Sequence, residues 1–273
     1  MIRLLIALVA AALLSACTAG LEKKEGYVVD TRHAAYGARP RIKALVIHYT
    51  AEDFPRSLAT LTDKEVSAHY LIAANPPLYG RQPLVLRLVP ESQLAWHAGN
   101  SFWRGATRLN DTSIGIELEN QGYRRVAGAR VWYPFPDKQM AALLPLMRDI
   151  VIRYNIQPQD IVGHSDIAPQ RKQDPGPLFP WHWLYQQGIG AWPDAERVRY
   201  YLAGRAPQQP TDGAYLLKLL AHYGYEVSSA MTDKQQQKVI AAFQMHYRPA
   251  NYSGVADAET EAIAAALLEK YSD

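Results

Sequence analysis

The run Ala44-Leu45-Val46-Ile47 is apolar at every position and is followed at once by His48. A strand that is apolar on both sides is covered on both sides, so residues 42–48 predict a central strand ending in a histidine. Residues 112–120, TSIGIELEN, alternate instead. Ile114, Ile116 and Leu118 share one face of a predicted strand, and Gly115, Glu117 and Glu119 share the other, which is read as facing away from the core. Residues 68–74 and 83–90 predict strands between Pro/Gly turns, and 161–164, IVGH, predicts a short buried strand that His164 closes. A helix is predicted over 57–65, where Thr62 and Glu65 have capping-box spacing. A longer one over 137–154 carries the stripe Leu143, Leu144, Met147, Ile150 and Val151, with Pro145 expected to kink it. Strands that alternate loosely with helices predict an α/β fold, a central mixed β-sheet flanked by helices.

The pattern breaks at 204–213, GRAPQQPTDG, which has few core formers and reads as a linker. Three helical patterns follow at 214–222, 232–245 and 258–271. Thr232 and Gln235 form a capping box for the second, and Asp257 is placed to cap the third. The expected organisation is a main domain over 27–203, the linker 204–213, and a three-helix domain over 214–273. The small module has a marginal core of its own and is expected to lean on the larger one.

The chain begins with Arg3 and an unbroken apolar run of eleven residues, Leu4 to Leu14. That run is too short to span a bilayer and fits the apolar stretch of a signal peptide. Leu14-Ser15-Ala16-Cys17 resembles a bacterial lipobox. The resemblance implies a signal peptide over 1–16, lipidation of Cys17 (palmitate among the acyl chains) and a tether over 17–26. Thr18 after the cysteine implies an outer-membrane, periplasm-facing lipoprotein. Cys17 is the only cysteine of the 273 residues, so no disulfide forms within the chain. A net charge of +3 without a basic run excludes a nucleic-acid footprint, and a hydrophobic content of 48% supplies a packed core.

Residues 164–177, HSDIAPQRKQDPGP, set a dense group of polar side chains on a Pro-punctuated loop straight after an apolar strand. His48, His164 and Asp174 are the ligand types of a hydrolytic zinc site, which leaves a fourth position for water. Glu117 is a candidate general base and Lys172 a candidate oxyanion donor. The residues alone also fit a plainer reading. In it the two histidines sit in the core, Asp174 serves the turn, and Glu117 lies on a solvated face.

The segments VIHYT (46–50), SAHYLI (67–72), LVPESQLAWHAG (88–99), LNDTSIGIELEN (109–120) and GHSDIAPQRKQDPGP (163–177) resemble the amidase-2 family of N-acetylmuramoyl-L-alanine amidases. The resemblance runs in order from about residue 40 to about residue 190. The family shares its fold with peptidoglycan recognition proteins and phage T7 lysozyme. By resemblance, one Zn²⁺ per chain falls on His48, His164 and Asp174, the catalytic glutamate on Glu117 and the transition-state lysine on Lys172. The implied reaction is hydrolysis of the amide between N-acetylmuramic acid, or its anhydro form, and L-alanine of the stem peptide. Peptidoglycan and muropeptides are then the partners, along with outer-membrane lipid through acylated Cys17. Trp96, His97, Ala98 and Gly99 look like the family's substrate-groove loop, in which Trp96 is expected to pack against sugar or peptide and His97 to bond a muramyl or peptide carbonyl. Arg108 and Asn110 are candidates to line the cleft. Glu119 reads as supporting, and His69 as a core histidine. The recognition-protein and phage branches place a tyrosine where this chain has Ala68, which moves weight onto Lys172. The module over 214–273 resembles three-helix peptidoglycan-binding domains through FQMHYRP and residues 254–260. Two other readings remain at this point. One is a lipoprotein that binds peptidoglycan without cutting it. The other is a recycling amidase for anhydro-muropeptides, against which the signal segment argues.

Overall fold

The computed structural model describes residues 20–272, so the 1–16 signal segment and Cys17 lie outside the described residues. The described chain falls into two compact units divided after Pro40. The first contains an exposed antiparallel hairpin, β1 (Leu21–Lys24) and β2 (Tyr27–Asp30). Composition predicts a tether as far as Gly26; backbone pairing across Gly26, at φ 81°, builds a hairpin from the charged strand LEKK and the more apolar YVVD.

The second unit carries strands β3 (Ala44–Tyr49), β4 (Tyr70–Ile72), β5 (Leu78–Tyr79), β6 (Gln82–Pro83), β7 (Leu86–Arg87), β8 (Phe102–Trp103), β9 (Ala106–Thr107), β10 (Ser113–Leu118), β11 (Tyr123–Val126), β12 (Ala129–Trp132) and β13 (Ile161–Gly163). Its helices are α1 (Phe54–Leu61), α2 (Asp137–Tyr154), α3 (His164–Ile167), α4 (Trp181–Gln186), α5 (Ala195–Leu202), α6 (Gly213–Tyr223), α7 (Asp233–Tyr247) and α8 (Ala258–Tyr271). The central sheet has the order β13-β3-β10-β4-β7. The first four strands run parallel, and β7 is antiparallel. This is the mixed sheet the strand pattern predicts.

Alternation decides which layer covers which face. Leu45 and Ile47 of β3 and Ile114, Ile116 and Leu118 of β10 pack with Met140, Leu143, Met147 and Ile150 of α2. Val46 of β3 and Val162 of β13 belong to the other cluster, with Leu216 and Leu220 of α6, Phe243 of α7 and Leu267 of α8. Residues 44–47 are therefore buried throughout, as a strand apolar on both faces must be. The three C-terminal helices share this core. Thr232 and Gln235 form the expected capping box of α7, and Asp257 caps α8 by accepting from Thr260 N.

Several local readings change. The helix expected over 57–65 runs from Phe54 to Leu61, capped by Asp53, which accepts from Arg56 N. Thr62 lies at its C-terminal end, where its hydroxyl donates to Leu58 O, so the Thr62–Glu65 spacing caps nothing. The strand expected over 83–90 breaks into β6 and β7, because Leu84 pairs back to Pro77 in a separate ribbon. Helix α2 runs unbroken through Pro145. The strand at 161–164 ends at Gly163, and His164 opens α3 instead.

Candidate active site

Register brings the polar residues together. Glu117 of β10 lies opposite His48 of β3, and Gly163 of β13 lies opposite Ile47. The parallel strands therefore deliver Glu117, His48 and His164 to one edge, at their carboxyl ends, where α/β sheets generally hold their ligands. The loop after α3 then turns back. Asp174 O accepts from Ser165 N, and Lys172 N donates to Ala168 O. Close packing seats this loop. A Cβ on Gly163 would lie 2.5 Å from Pro175 Cδ, so a larger residue there would push the loop off the strand.

His48, His164 and Asp174 are all buried, with ligand atoms mutually close. His48 Nδ1 is 2.9 Å from His164 Nδ1, and each is 3.1 Å from Asp174 Oδ2. Two ligands at ~2.0 Å from a tetrahedral metal are ~3.3 Å apart, so the triangle has the size of a metal site.

The hydrogen-bond partners decide which nitrogens are bare. His164 Nε2 faces Ala98 O at 3.2 Å, an atom that can only accept, so the proton sits on Nε2 and Nδ1 is a free lone pair. Ser113 Oγ donates to Leu109 O, so it accepts from His97 Nε2. His97 Nδ1 then accepts from His48 Nε2 at 3.0 Å, which leaves His48 Nδ1 bare as well. Two lone pairs and a carboxylate oxygen converge with no proton among them. A cation resolves that conflict, so the donor set fits a metal.

The electrostatics agree. Burial, with the nearby His164, lowers His48 to about 4, so its neutral, metal-binding form persists well below the usual imidazole range. Burial opposes ionisation of Asp174, but His164 and His48 outweigh it and hold its carboxyl far below the usual range. Burial raises Glu117 to about 8; the Asp174 charge adds to this and the Lys172 ammonium opposes it. Glu117 Oε2 is buried without a hydrogen-bond partner among the described residues. Glu117, His164, Asp174 and Lys172 all line a cleft of about 430 Å³.

The remaining candidates separate. Trp96, 59% exposed, stands on the rim of that cleft. His97 reaches the cleft wall, but both its ring nitrogens are engaged behind His48 rather than directed at a ligand. The expectation that it bonds a substrate carbonyl gives way to a support for His48. Ala98, Asn110 and Arg108 do not line the cleft. Ala98 is fully buried, and its carbonyl takes bonds from His164 and from Arg171. Asn110 is buried and holds the 97–98 backbone by accepting from His97 N and Ala98 N. The exposed Arg108 pairs with Asp111. Glu119 is structural: its carboxylate accepts from Phe54 N and Ala74 N. His69 is a buried core histidine that accepts from Gly115 N.

Sequence reading missed two features. One is Ser113 as the end of the His48–His97 chain. A spacing signal exists for its neighbour: Gly115 lies under His97, and a Cβ there would sit 2.4 Å from the imidazole. The other is Asp166, which accepts from Gly163 N, from Tyr225 OH and from His246 Nδ1 and so ties the loop to the C-terminal helices.

A buried His-His-Asp donor set beside an unpartnered carboxyl, at the carboxyl edge of a mixed sheet, fits the site of a metal-dependent hydrolase. Residues 38–177 match the family model described as N-acetylmuramoyl-L-alanine amidase. The chain is 64% identical over 267 residues to N-acetylmuramoyl-L-alanine amidase AmiD of Escherichia coli K12, covering 97% of each. It superposes with a TM-score of 0.90 and 65% identity on the structure of E. coli AmiD in complex with anhydro-N-acetylmuramic acid-L-Ala-D-γ-Glu-L-Lys, covering 92% of this chain and 98% of that one. A structure of AmpDh3 from Pseudomonas aeruginosa with anhydromuramic pentapeptide matches at 0.80 with 40% identity, covering 92% of this chain and 98% of that one. The chain belongs to the N-acetylmuramoyl-L-alanine amidase family.

Proposed function

We propose that this amidase uses one zinc ion, held by His48 Nδ1, His164 Nδ1 and Asp174 Oδ2, to cleave the amide between N-acetylmuramic acid, or its anhydro form, and L-alanine of the stem peptide. The observation that carries the proposal is the convergence of two bare imidazole nitrogens and one carboxylate beside Glu117. When bound, zinc lowers the pKa of water toward ~7 and polarises a carbonyl. Glu117 takes the proton of the attacking water. Burial raises its carboxyl, which favours holding that proton until it passes to the leaving L-alanine amine. Lys172, on the same cleft wall, donates to the oxyanion as the carbonyl carbon becomes tetrahedral. Trp96 offers an exposed aromatic face to sugar or peptide at the rim.

Incubation of the purified chain with sacculi, with and without a zinc chelator, tests this reading by mass spectrometry. Stem peptides beginning at L-alanine, lost on chelation and restored by zinc, are expected. Sacculi bound but uncut in the presence of zinc would make the chain a recognition protein.

The anchoring is part of the same proposal. The lipobox-like Leu14-Ser15-Ala16-Cys17 supports acylation of Cys17, and Thr18 supports an outer-membrane, periplasm-facing position. Cys17→Ser is expected to move the protein from the membrane to the soluble fraction; retention in the membrane would remove the anchor.

A further inference from the structure

The loop that carries Lys172 has a second side. Arg171, Lys172 and Gln173 line the catalytic cleft and also one wall of a second groove of about 450 Å³. The opposite wall is helix α7, through Lys234, Gln237 and Lys238, and Arg130 of β12 contributes a further edge. Ala241, Ala242 and Met245 of α7 supply an apolar floor, with Tyr252 beside them.

Five cations therefore line one groove, Arg130, Arg171, Lys172, Lys234 and Lys238, of which Lys172 also acts on Glu117 in the cleft. No carboxylate is among its lining residues. None of the five takes part in an ion pair among the described residues. Arg171 and Lys238 are held in place by neutral partners, the carbonyls of Ala98, Asn100 and Gln170. Carbonyls orient those side chains and leave their charge uncompensated. Like charges gathered around a concave surface repel one another, and an anionic occupant relieves that repulsion. The chain as a whole is only +3, so the groove is a local concentration of charge and not the average of the surface.

We infer that this groove binds an acidic peptide, a second stem peptide of the polymeric substrate, next to the one being cleaved. The inference rests on the amidase reading. A glutamate joined through its γ-carboxyl, as in the peptide of the related complex, keeps its α-carboxyl free. Every stem peptide of that kind therefore brings an anion. The floor of alanines and one methionine accepts small side chains, which suits alanine-rich peptides. The shared wall 171–173 puts the groove beside the cleft, where a neighbouring peptide of a repeating polymer arrives when the first is in place. A lipid surface presents a plane, and this groove is walled on both sides.

The test uses the full chain loaded with zinc and two substrates, sacculi and the short muropeptide anhydro-N-acetylmuramic acid-L-Ala-D-γ-Glu-L-Lys. Affinity for sacculi is read in Glu117→Gln backgrounds, and cleavage of the short muropeptide in chains that keep Glu117. Wild type that cleaves neither substrate marks a failure of the amidase reading, which this arrangement tells apart from a failure of the groove. Lys234→Glu with Arg130→Glu is expected to weaken sacculus binding about tenfold at low salt, and Lys234→Gln by less. The difference should shrink at about 1 M salt, where the Debye length is about 3 Å. The kcat/KM for the short muropeptide should stay within about twofold, since it fills only the cleft. Two outcomes overturn the inference. One is sacculus affinity within twofold of the unreversed chain. The other is an effect confined to phosphatidylglycerol vesicles with sacculus binding intact, which would assign the groove to a lipid surface.

Discussion

At the scale of single residues, the site works because each proton has one place to be. Ser113 gives its proton to Leu109 O, so His97 must give Nε2–H to Ser113, and His48 must give Nε2–H to His97. The chain ends in a bare Nδ1 on His48, the tautomer a metal requires. His97→Ala removes the link and lets the His48 ring turn. It is expected to weaken zinc affinity about 10–100-fold, and to do so more than Trp96→Ala, whose side chain lies on the rim. The same zinc titration, repeated across pH, reads the depressed His48. Its folded value of about 4 lies below the ordinary 6.5, so the neutral ring contributes stability above pH 6.5 and loses it as pH falls through about 4. Zinc affinity is expected to hold through pH 6.5 and to fall only well below it in the wild type. A loss of affinity that begins at 6.5 would mean that the site's histidines are not held neutral. The residues of this site were legible in the sequence as types and order. Their protonation was not, because Ser113 and His97 are joined only by a contact across the fold.

At the scale of elements, parallel register does most of the positioning. One strand period sets Glu117 beside His48, and the end of β13 sets His164 next to them. Periodicity alone showed which face of β10 carries Glu117 and Gly115, but not that this face is covered. The 96–110 loop covers it by packing His97 onto Gly115, a position that only glycine fills. Short elements were the least legible. The 83–90 pattern reads as one strand, yet Leu84 N bonds Pro77 O across a two-residue ribbon, and that pairing leaves no trace in alternation. The catalytic loop itself depends on another element. Asp166 is buried, and Tyr225 OH donates to it at 2.6 Å from beyond the end of α6. His246 from α7, stacked between Trp181 and Tyr247, approaches its other oxygen. Tyr225→Phe removes one hydrogen bond to a buried acid and is expected to lower stability by about 1.5–3 kcal/mol. Chemical denaturation checks this, and an effect below about 0.5 kcal/mol would mean that the bond is dispensable.

At the scale of the whole molecule, the large apolar clusters and the order of the motifs were legible. A strand apolar on both faces announced two covering layers, and the structure supplies α2 on one side and helices α6 to α8 on the other. The intimacy of the second layer was not legible. Helical periodicity marks a face that needs burying without naming its partner, and here that partner includes Val46 and Val162 of the central sheet. The C-terminal helices thus brace the sheet and, through Asp166, the loop bearing Lys172 and Asp174. The central claim is that this braced loop and two strand ends hold a metal on which the buried Glu117 acts as base. The most direct measurement takes the purified Glu117→Gln chain and determines both its zinc content and its turnover of anhydro-N-acetylmuramic acid-L-Ala-D-γ-Glu-L-Lys. The account predicts one zinc per chain, as in the wild type, with turnover reduced by about 10²–10⁴-fold. Turnover near wild type with zinc bound would contradict it and take the base away from Glu117.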